Sequence, residues 1–199
     1  MNKLICLMGK SCTGKDTIYK KLLLDDSLKL KVLVPYTTRP IRHNEQSGIE
    51  YNFVSEEDYL KFKRDGVILE DRSYDTVHGV WRYFTIRDEE MTRSDEDYLY
   101  IGTLEAYNKL CETLGPDKVL PIYIEVDDSV RIDRAVRREH KQSEPKFTEM
   151  CRRFLADTED FSDDKLAAAG IKDRFVNEDL DECLANVRKY IIAHTSADR

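Results

Sequence analysis

Gly9-Lys10-Ser11-Cys12-Thr13-Gly14-Lys15 is the stretch of sequence that decides the fold. It follows the apolar run Leu4 to Met8, which predicts a strand buried on both faces of a parallel sheet. The segment from Lys15 to Leu24 has apolar residues at helical spacing. The stretch therefore fits the G-x-x-x-x-G-K pattern in the strand, loop and helix context that the pattern requires. In such a loop, backbone N–H groups and the helix N-terminus bind phosphate oxygens, and Lys15 would reach the terminal phosphates.

The residue after the lysine departs from the usual pattern, which has Ser or Thr there to bind magnesium. Here it is Asp16, with Thr17 next. Either side chain offers the oxygen ligand that Mg²⁺ prefers, so we expect the metal site at Asp16 and Thr17. The alternative is that Asp16 is a first-turn acid that only complements the helix dipole, and both interpretations stay open.

Composition limits the class of protein. The chain has 199 residues, 41% hydrophobic and 36% charged, which predicts one soluble globular domain over residues 1–199. A net charge of −7 argues against general binding to nucleic acid or to anionic membranes. The sequence has neither a run of about 18 apolar residues nor the pattern of a signal peptide, so we expect a cytoplasmic protein without a membrane partner. Its five cysteines include no C-x-x-C pair, which argues against a disulfide framework or structural zinc.

Strand and helix patterns alternate along most of the chain, which predicts an α/β fold with a mostly parallel central sheet. The middle of the chain is richer in short strands, and we expect an inserted lobe over about residues 36–89 between core segments 1–35 and 90–199. The segment from Asp71 to Trp81 is expected to be a loop. Near the end of the chain, a helix is predicted from Glu178 with Asn177 as its N-cap.

The segment Thr37-Thr38-Arg39-Pro40-Ile41-Arg42, followed by Glu45, Gly48 and Tyr51 to Val54, resembles the acceptor-binding segment of the guanylate kinase family. Asp173 to Leu180 also resembles the late segment of that family beside the adenine, so the resemblance covers nearly the whole chain. It implies a three-layer fold of the P-loop NTPase type, a mobile lid, and ATP with Mg²⁺. The implied ATP-binding residues are Gly9, Lys10, Ser11, Cys12, Thr13, Gly14, Lys15, Asp16, Thr17 and Asn177.

The resemblance also assigns the acceptor site. Arg39, Arg42 and Tyr51 would hold the acceptor monophosphate, which suits the bidentate binding of phosphate by guanidinium groups. The glutamate aligned with Glu70 reads the guanine edge in the family, and Tyr83 resembles a second phosphate-contacting tyrosine.

Residues 131 to 153 hold eight cations and four acids, a local charge of +4 in an acidic chain. By resemblance, residues 137–153 are the lid. The phosphate-contacting arginines of residues 131 to 153 would be Arg134, Arg138 and Arg153, and they join Lys15 and Arg39 as the expected catalytic residues. Arg134 and Arg138 are spaced i, i+4, so a helix would place them on one face.

Two departures from the family pattern concern the acceptor base. Pro35 and Tyr36 stand where the family has small residues, and Tyr100 and Gly102 replace both aspartates of an Asp-x-Asp at a strand end. The expected reaction is transfer of the γ-phosphoryl of ATP to a nucleoside monophosphate, GMP or dGMP, by a monomer or homodimer. The alternatives are a kinase of another acceptor, such as ribose 1,5-bisphosphate, or a non-catalytic guanylate kinase-like binding module.

Overall fold

The computed structural model describes residues 2–42, 45–77, 79–87, 89–93 and 95–195. In chain order, its strands are β1 (Leu4–Met8), β2 (Lys31–Val32), β3 (Tyr36–Thr37), β4 (Asn52–Phe53), β5 (Ile68–Thr76), β6 (Gly79–Ile86), β7 (Tyr98–Ile101), β8 (Val119–Glu125) and β9 (Arg174–Val176). Its α-helices are α1 (Lys15–Leu23), α2 (Glu56–Arg64), α3 (Glu89–Arg93), α4 (Leu104–Leu114), α5 (Asp128–His140), α6 (Phe147–Asp160), α7 (Asp163–Ala168) and α8 (Leu180–Thr195).

The central sheet has the strand order β2-β7-β1-β8-β9, and every neighbouring pair in it is parallel. β1 lies in the middle, and all five of its side chains are buried. Alternate residues of β1 point to opposite faces, so the apolar run supplies both halves of the core. The predicted mostly parallel α/β sheet is confirmed.

Helices cover the sheet on both faces. Ile5 and Leu7 of β1 pack with apolar side chains of α1 and α8, whereas Leu4, Cys6 and Met8 pack toward α4 and α7. Because parallel strands need crossover helices on both faces, this produces the expected three layers. The C-terminal ends of β1 and β8 meet at the phosphate loop, since Gly9 follows β1 directly and lies against Ile124 of β8.

A second sheet has the strand order β4-β3-β6-β5 and comes from residues 36–86, inside the segment expected to form a lobe. Its small core is aromatic, with Tyr59 of α2 and Phe84 of β6 in edge-to-face contact. Ser55 caps α2 through a capping box with Asp58. The expectation of a loop from Asp71 to Trp81 is wrong, because β5 and β6 pair as an antiparallel hairpin from Asp71 opposite Phe84 to Thr76 opposite Gly79.

The C-terminal region differs from expectation in a second respect. Asn177 is not the N-cap of the last helix, which begins at Leu180. Asp179 takes that role by accepting a hydrogen bond from the backbone N–H of Glu182, while the Asn177 side chain points to the phosphate loop. Within the described residues, the search for a helix long and apolar enough to cross a bilayer finds none.

Candidate active site

The phosphate loop joins β1 to α1 and leaves the N-terminus of α1 open. Gly14 occupies the N-cap with φ 88°, a left-handed conformation that favours glycine, and no side chain caps the helix. The first backbone N–H groups of α1 therefore lack a side-chain acceptor, and an anion can bind them. Thr13 is buried and donates from its hydroxyl to the carbonyl of Lys10 across 2.9 Å, which closes the loop on itself.

Close packing fixes the position of this loop. A Cβ atom on Gly9 would lie 2.6 Å from the carbonyl oxygen of Ile124, so only glycine fits there. A Cβ atom on Gly14 would collide with the side-chain amide of Asn177. Asn177 is buried, and its Nδ2 donates to the carbonyl of Thr13 across 2.7 Å. Asn177 therefore lies beside the predicted ATP-binding loop, and its side chain is used to bind the backbone of that loop.

A buried ion pair holds the loop from the other side. The backbone N–H of Ser11 donates to the Asp157 carboxylate of α6 across 2.6 Å, and Arg131 Nε of α5 donates to the Ser11 carbonyl across 3.1 Å. Arg131 is fully buried, also contacts Asp157 and Asp128, and lies over the ring of Phe154. Arg131 is thus a structural cation that connects the loop to α5 and α6, although the sequence counts it with the lid charges.

The remaining predicted ATP-site residues lie around the mouth of the loop. Arg134 of α5 approaches the carbonyls of Cys12 (3.5 Å) and Asn177 (3.3 Å), so it bridges the loop and the segment before α8. Lys15 is half-buried in the first turn of α1. Asp16 and Thr17 are exposed in the same turn, and Asp16 borders a cavity of about 280 Å³ that Tyr51 also lines.

The predicted acceptor residues Arg39, Tyr51 and Tyr83 meet in the second sheet. The Arg39 guanidinium is 3% exposed and lies 5.4 Å from the centre of the Tyr51 ring, which in turn contacts the Tyr83 ring at 5.6 Å. Glu45 holds Arg39 through two hydrogen bonds of 2.8 Å and also accepts from the backbone N–H of Arg42. These contacts orient Arg39, whose buried Nε has no hydrogen-bond partner in the structure. A buried N–H donor without an acceptor fits a site that awaits an anion.

The charges at this cluster follow from the same contacts. Burial is the largest single influence and lowers the pKa of Arg39, but the hydrogen bond and charge of Glu45, together with Tyr83, raise that pKa overall. The hydrogen bond from Arg39 lowers the pKa of Glu45. The pair therefore stays ionised at neutral pH.

Glu70, the expected base reader, is enclosed in a buried polar cluster. Its side chain has no exposed surface, and Arg72 Nε donates to it across 3.0 Å. Thr85 and Tyr100 donate their hydroxyls to its Oε1 atom across 2.8 and 3.3 Å. Arg72 also donates to the hydroxyl of Thr103 across 3.0 Å.

The two residues that replace the family's aspartates at the end of β7, Tyr100 and Gly102, have a common steric explanation. Tyr100 is buried and its hydroxyl belongs to the Glu70 cluster. A Cβ atom on residue 102 would lie 2.5 Å from Cε1 of the Tyr100 ring and 3.0 Å from the sulfur of Cys6, so Gly102 makes room for that ring. Burial raises the pKa of the Tyr100 hydroxyl well above its ordinary value, which keeps the hydroxyl protonated as a donor.

The predicted lid arginines face the acceptor lobe across a cavity. Arg138 and Arg153, together with Lys146, line a space of about 650 Å³ that Arg42 and Glu45 close on the opposite side. α5 ends at His140 and α6 begins at Phe147, and Glu139 holds the connection by accepting from the backbone N–H of Lys146. Cations from two parts of the chain therefore surround one space of substrate size.

Arg153 is paired in this structure. Glu149 accepts from Arg152 and Arg153, spaced three and four residues along α6, with Nε to carboxylate distances of 2.7 and 2.8 Å. These hydrogen bonds, first from Arg152 and then from Arg153, lower the pKa of Glu149 to about 2. A phosphate that binds Arg153 must therefore compete with Glu149 or share the arginine with it.

Sequence reasoning assigned no role to three contributors to these sites, although Glu45 lies in the segment that carries the family resemblance. Arg72 was detectable, since it lies two residues after Glu70 and alternate strand residues share a face. Asp157 and Glu45 gave less signal, because a carboxylate in a charged segment is ordinarily a solvated side chain.

A strand, phosphate loop and helix at the C-terminal end of the central strand of a parallel sheet define a protein of the P-loop nucleotide-binding class. A family model described as guanylate kinase matches residues 1–194. The chain belongs to the guanylate kinase family.

Individual relatives agree with that assignment. The chain is 28% identical over 194 residues to a guanylate kinase of Porphyromonas gingivalis, covering 96% of this chain and 97% of the relative. It is 24% identical over 189 residues to a guanylate kinase of Zymomonas mobilis, covering 94% and 82%. The crystal structure of guanylate kinase from Anaplasma phagocytophilum superimposes with a TM-score of 0.63 at 22% identity, covering 98% of this chain and 86% of that one, which supports the fold.

Proposed function

We propose that the protein transfers the γ-phosphoryl group of ATP to a nucleoside monophosphate, GMP or dGMP. The observation that carries this proposal is the pair of phosphate sites: an uncapped loop with Lys15, and the cluster of Arg39, Tyr51 and Tyr83. A protein that only bound ATP would need the first site alone. Relatives that match nearly the whole chain are named guanylate kinases, which supports guanine as the acceptor base.

In this proposal the loop holds ATP and the second sheet holds the acceptor. Lys15 and the open N–H groups of α1 neutralise the phosphates of ATP, while Arg39, Arg42, Tyr51 and Tyr83 orient the acceptor phosphate for attack. Phosphoryl transfer depends mainly on alignment and on stabilising charge, which these residues supply. Arg138 and Arg153 add positive charge from the cavity side, and Arg134 adds it beside the loop.

The oxygen donors at the start of α1 fit Mg²⁺. Asp16 offers a carboxylate and Thr17 a hydroxyl, both exposed, and hard cations take such ligands. The described residues contain no group of three or more His, Cys, Asp or Glu that could hold a metal by themselves. A cation held by these oxygens would take its other ligands from phosphate and water, and when bound it would neutralise charge on the transferring group. Asp16→Ala and Thr17→Val each remove one of the two candidate ligands, so loss of Mg²⁺-dependent turnover in only one of these variants identifies the side chain that binds.

The activity is tested by coupled ADP release with GMP, dGMP, AMP, CMP, UMP and ribose 1,5-bisphosphate as acceptors. We expect turnover with GMP and dGMP, and its loss in Lys15→Met. Turnover with ribose 1,5-bisphosphate alone would replace the guanine nucleotide by a sugar phosphate. No turnover with any acceptor, together with no ATP binding by calorimetry, would support a non-catalytic binding module.

A further inference from the structure

The Glu70 cluster contains a buried cation that the proposed phosphate chemistry does not use. Arg72 is 8% exposed, and its guanidinium contacts Glu70, Tyr100 and Thr103. A buried ion pair contributes little net stability, because the cost of removing both charges from water offsets their attraction. The pair therefore calls for an explanation other than stability.

Strand geometry places this pair on the acceptor side of the second sheet. Glu70 and Arg72 are two residues apart on β5, so they share a face, and in the β5–β6 hairpin they stand opposite Thr85 and Tyr83. Tyr83 contacts Tyr51, and Tyr51 contacts Arg39. One face of the sheet therefore carries, in order, Arg39, Tyr51, Tyr83 and the pair of Arg72 and Glu70. It connects the proposed phosphate anchor to the expected base reader.

The pair offers a hydrogen-bond acceptor directly beside a hydrogen-bond donor. Guanine presents the complementary edge, with the O6 acceptor beside the N1–H donor and the exocyclic amine beyond it. Adenine presents the reverse order, a donor at N6 and an acceptor at N1. A carboxylate beside a guanidinium therefore matches guanine and opposes adenine.

Resting on the proposed function, we propose that Arg72 is a further specificity-determining residue that donates to O6 of the acceptor guanine. Glu70, which the family resemblance already assigns to the guanine edge, accepts from N1–H and the exocyclic amine beside it. Without a ligand, the two side chains satisfy each other at 3.0 Å. Entry of the base exchanges some of their mutual hydrogen bonds for bonds to the guanine edge, so both side chains have hydrogen-bond partners before and after binding. Tyr100 and Thr103 hold the guanidinium in place from the central sheet and from the start of α4.

The test compares GMP, IMP and AMP, because IMP keeps O6 and N1–H but lacks the exocyclic amine. Arg72→Gln is expected to lower kcat/KM for GMP and for IMP by the same factor, about 100-fold, and to leave the value for AMP unchanged. The ratio of GMP to IMP then stays constant. Glu70→Gln is expected to lower kcat/KM for GMP more than kcat/KM for IMP, since only GMP carries the amine.

Arg82→Gln is the matched control, since Arg82 lies on β6 and pairs with an exposed carboxylate, Glu56. It should leave all three values unchanged. Arg72→Lys keeps a cation beside Glu70 and tests the assignment even if the Gln variant fails to fold. We expect the ratio of kcat/KM for GMP to kcat/KM for AMP to fall about tenfold in this variant.

Different results overturn different claims. Equal losses for GMP, IMP and AMP would show that Arg72 only supports the fold, and no loss for any of them would show that it does not face the base. If the wild type phosphorylates only acceptors without a base, the proposed function and the role of Arg72 both fail. If the wild type turns over no acceptor, calorimetry decides the assignment by comparing how each variant changes the Kd for GMP and the Kd for AMP.

Discussion

In the proposed function, the phosphate loop and the acceptor cluster bind the same chemical group with different parts of the chain. The loop uses seven consecutive residues, and most of its donors are backbone N–H groups placed by close packing around Gly9 and Gly14. The acceptor cluster uses side chains from separate strands and loops, and Glu45 holds Arg39 in position. A backbone site tolerates side-chain variety as long as its shape is kept, whereas a side-chain site depends on each partner.

The largest expected effect tests the loop at its one essential side chain. Lys15→Met removes the charge that reaches the terminal phosphates, and we expect kcat to fall about 1,000-fold, the loss typical of a deleted donor to developing charge. Thermal melting should show little change in Tm, because Lys15 is only half-buried. Lys21→Met, on the exposed face of the same helix, is the control. A kcat within threefold of wild type would mean that the loop works by backbone alone.

The corresponding change in the acceptor cluster is Arg39→Lys. Lysine keeps the charge but cannot reproduce the two-point contact with Glu45, so we expect the KM for the acceptor to rise about 30-fold while the KM for ATP stays constant. Steady-state kinetics with each substrate varied in turn measures this. Arg64→Lys, on α2 of the same lobe, should change neither constant. An equal rise in both KM values would contradict two independent phosphate sites.

A third variant tests whether the loop really is independent of side chains. Asp157→Ala leaves the Ser11 N–H without its acceptor and the buried Arg131 with one partner fewer. We expect the free energy of unfolding in urea to fall by about 2 kcal/mol and the KM for ATP to rise. Asp157→Asn keeps an acceptor oxygen and should recover much of the ATP affinity, and the exposed Asp160→Ala should behave as wild type. An unchanged KM for ATP in Asp157→Ala would show that the pair of Asp157 and Arg131 contributes to stability but not to ATP binding.

The smallest effect concerns the exposed acid beside Arg153. Glu149 has an ordinary pKa of 4.5 and a folded-state pKa of about 2, so its contribution to stability is present above pH 4.5 and is lost as the pH falls toward 2. Exposed pairs contribute about 0.2–1 kcal/mol, and we expect Glu149→Gln to differ from wild type by that amount at pH 6. The difference in unfolding free energy should narrow between pH 4.5 and 2. A difference independent of pH would contradict the ion pairing.

The same contrast explains how far the sequence could be interpreted. The loop was predictable because its seven residues are contiguous and its flanking strand and helix have clear apolar patterns. The parallel sheet followed from the same patterns. The hairpin that includes Asp71 to Trp81 was not predicted, because its polar residues pair through the backbone and leave no apolar alternation in the sequence. Asn177 was placed at a helix start since its residue type suits a cap, but packing against Gly14 gave it another partner.

The partners of the acceptor residues were the hardest to predict. Arg39 and Glu70 were located through the family resemblance, but Glu45 and Arg72 satisfy them through contacts that appear only when the lobe is folded. Glu45 lies in the segment that resembles the family but had no contact assigned to it, and Arg72 belongs to no motif. Side-chain sites assembled from several strands depend on register, and register is a property of the folded sheet.

The contact between Tyr100 and Gly102 constrains the order in which these two positions can change during evolution. A tyrosine at 100 excludes any side chain at 102, since a Cβ atom there would overlap its ring. A glycine at 102 imposes no such limit on residue 100. A lineage that acquires this arrangement one substitution at a time must therefore gain the glycine first, and a lineage that loses it must give up the tyrosine first.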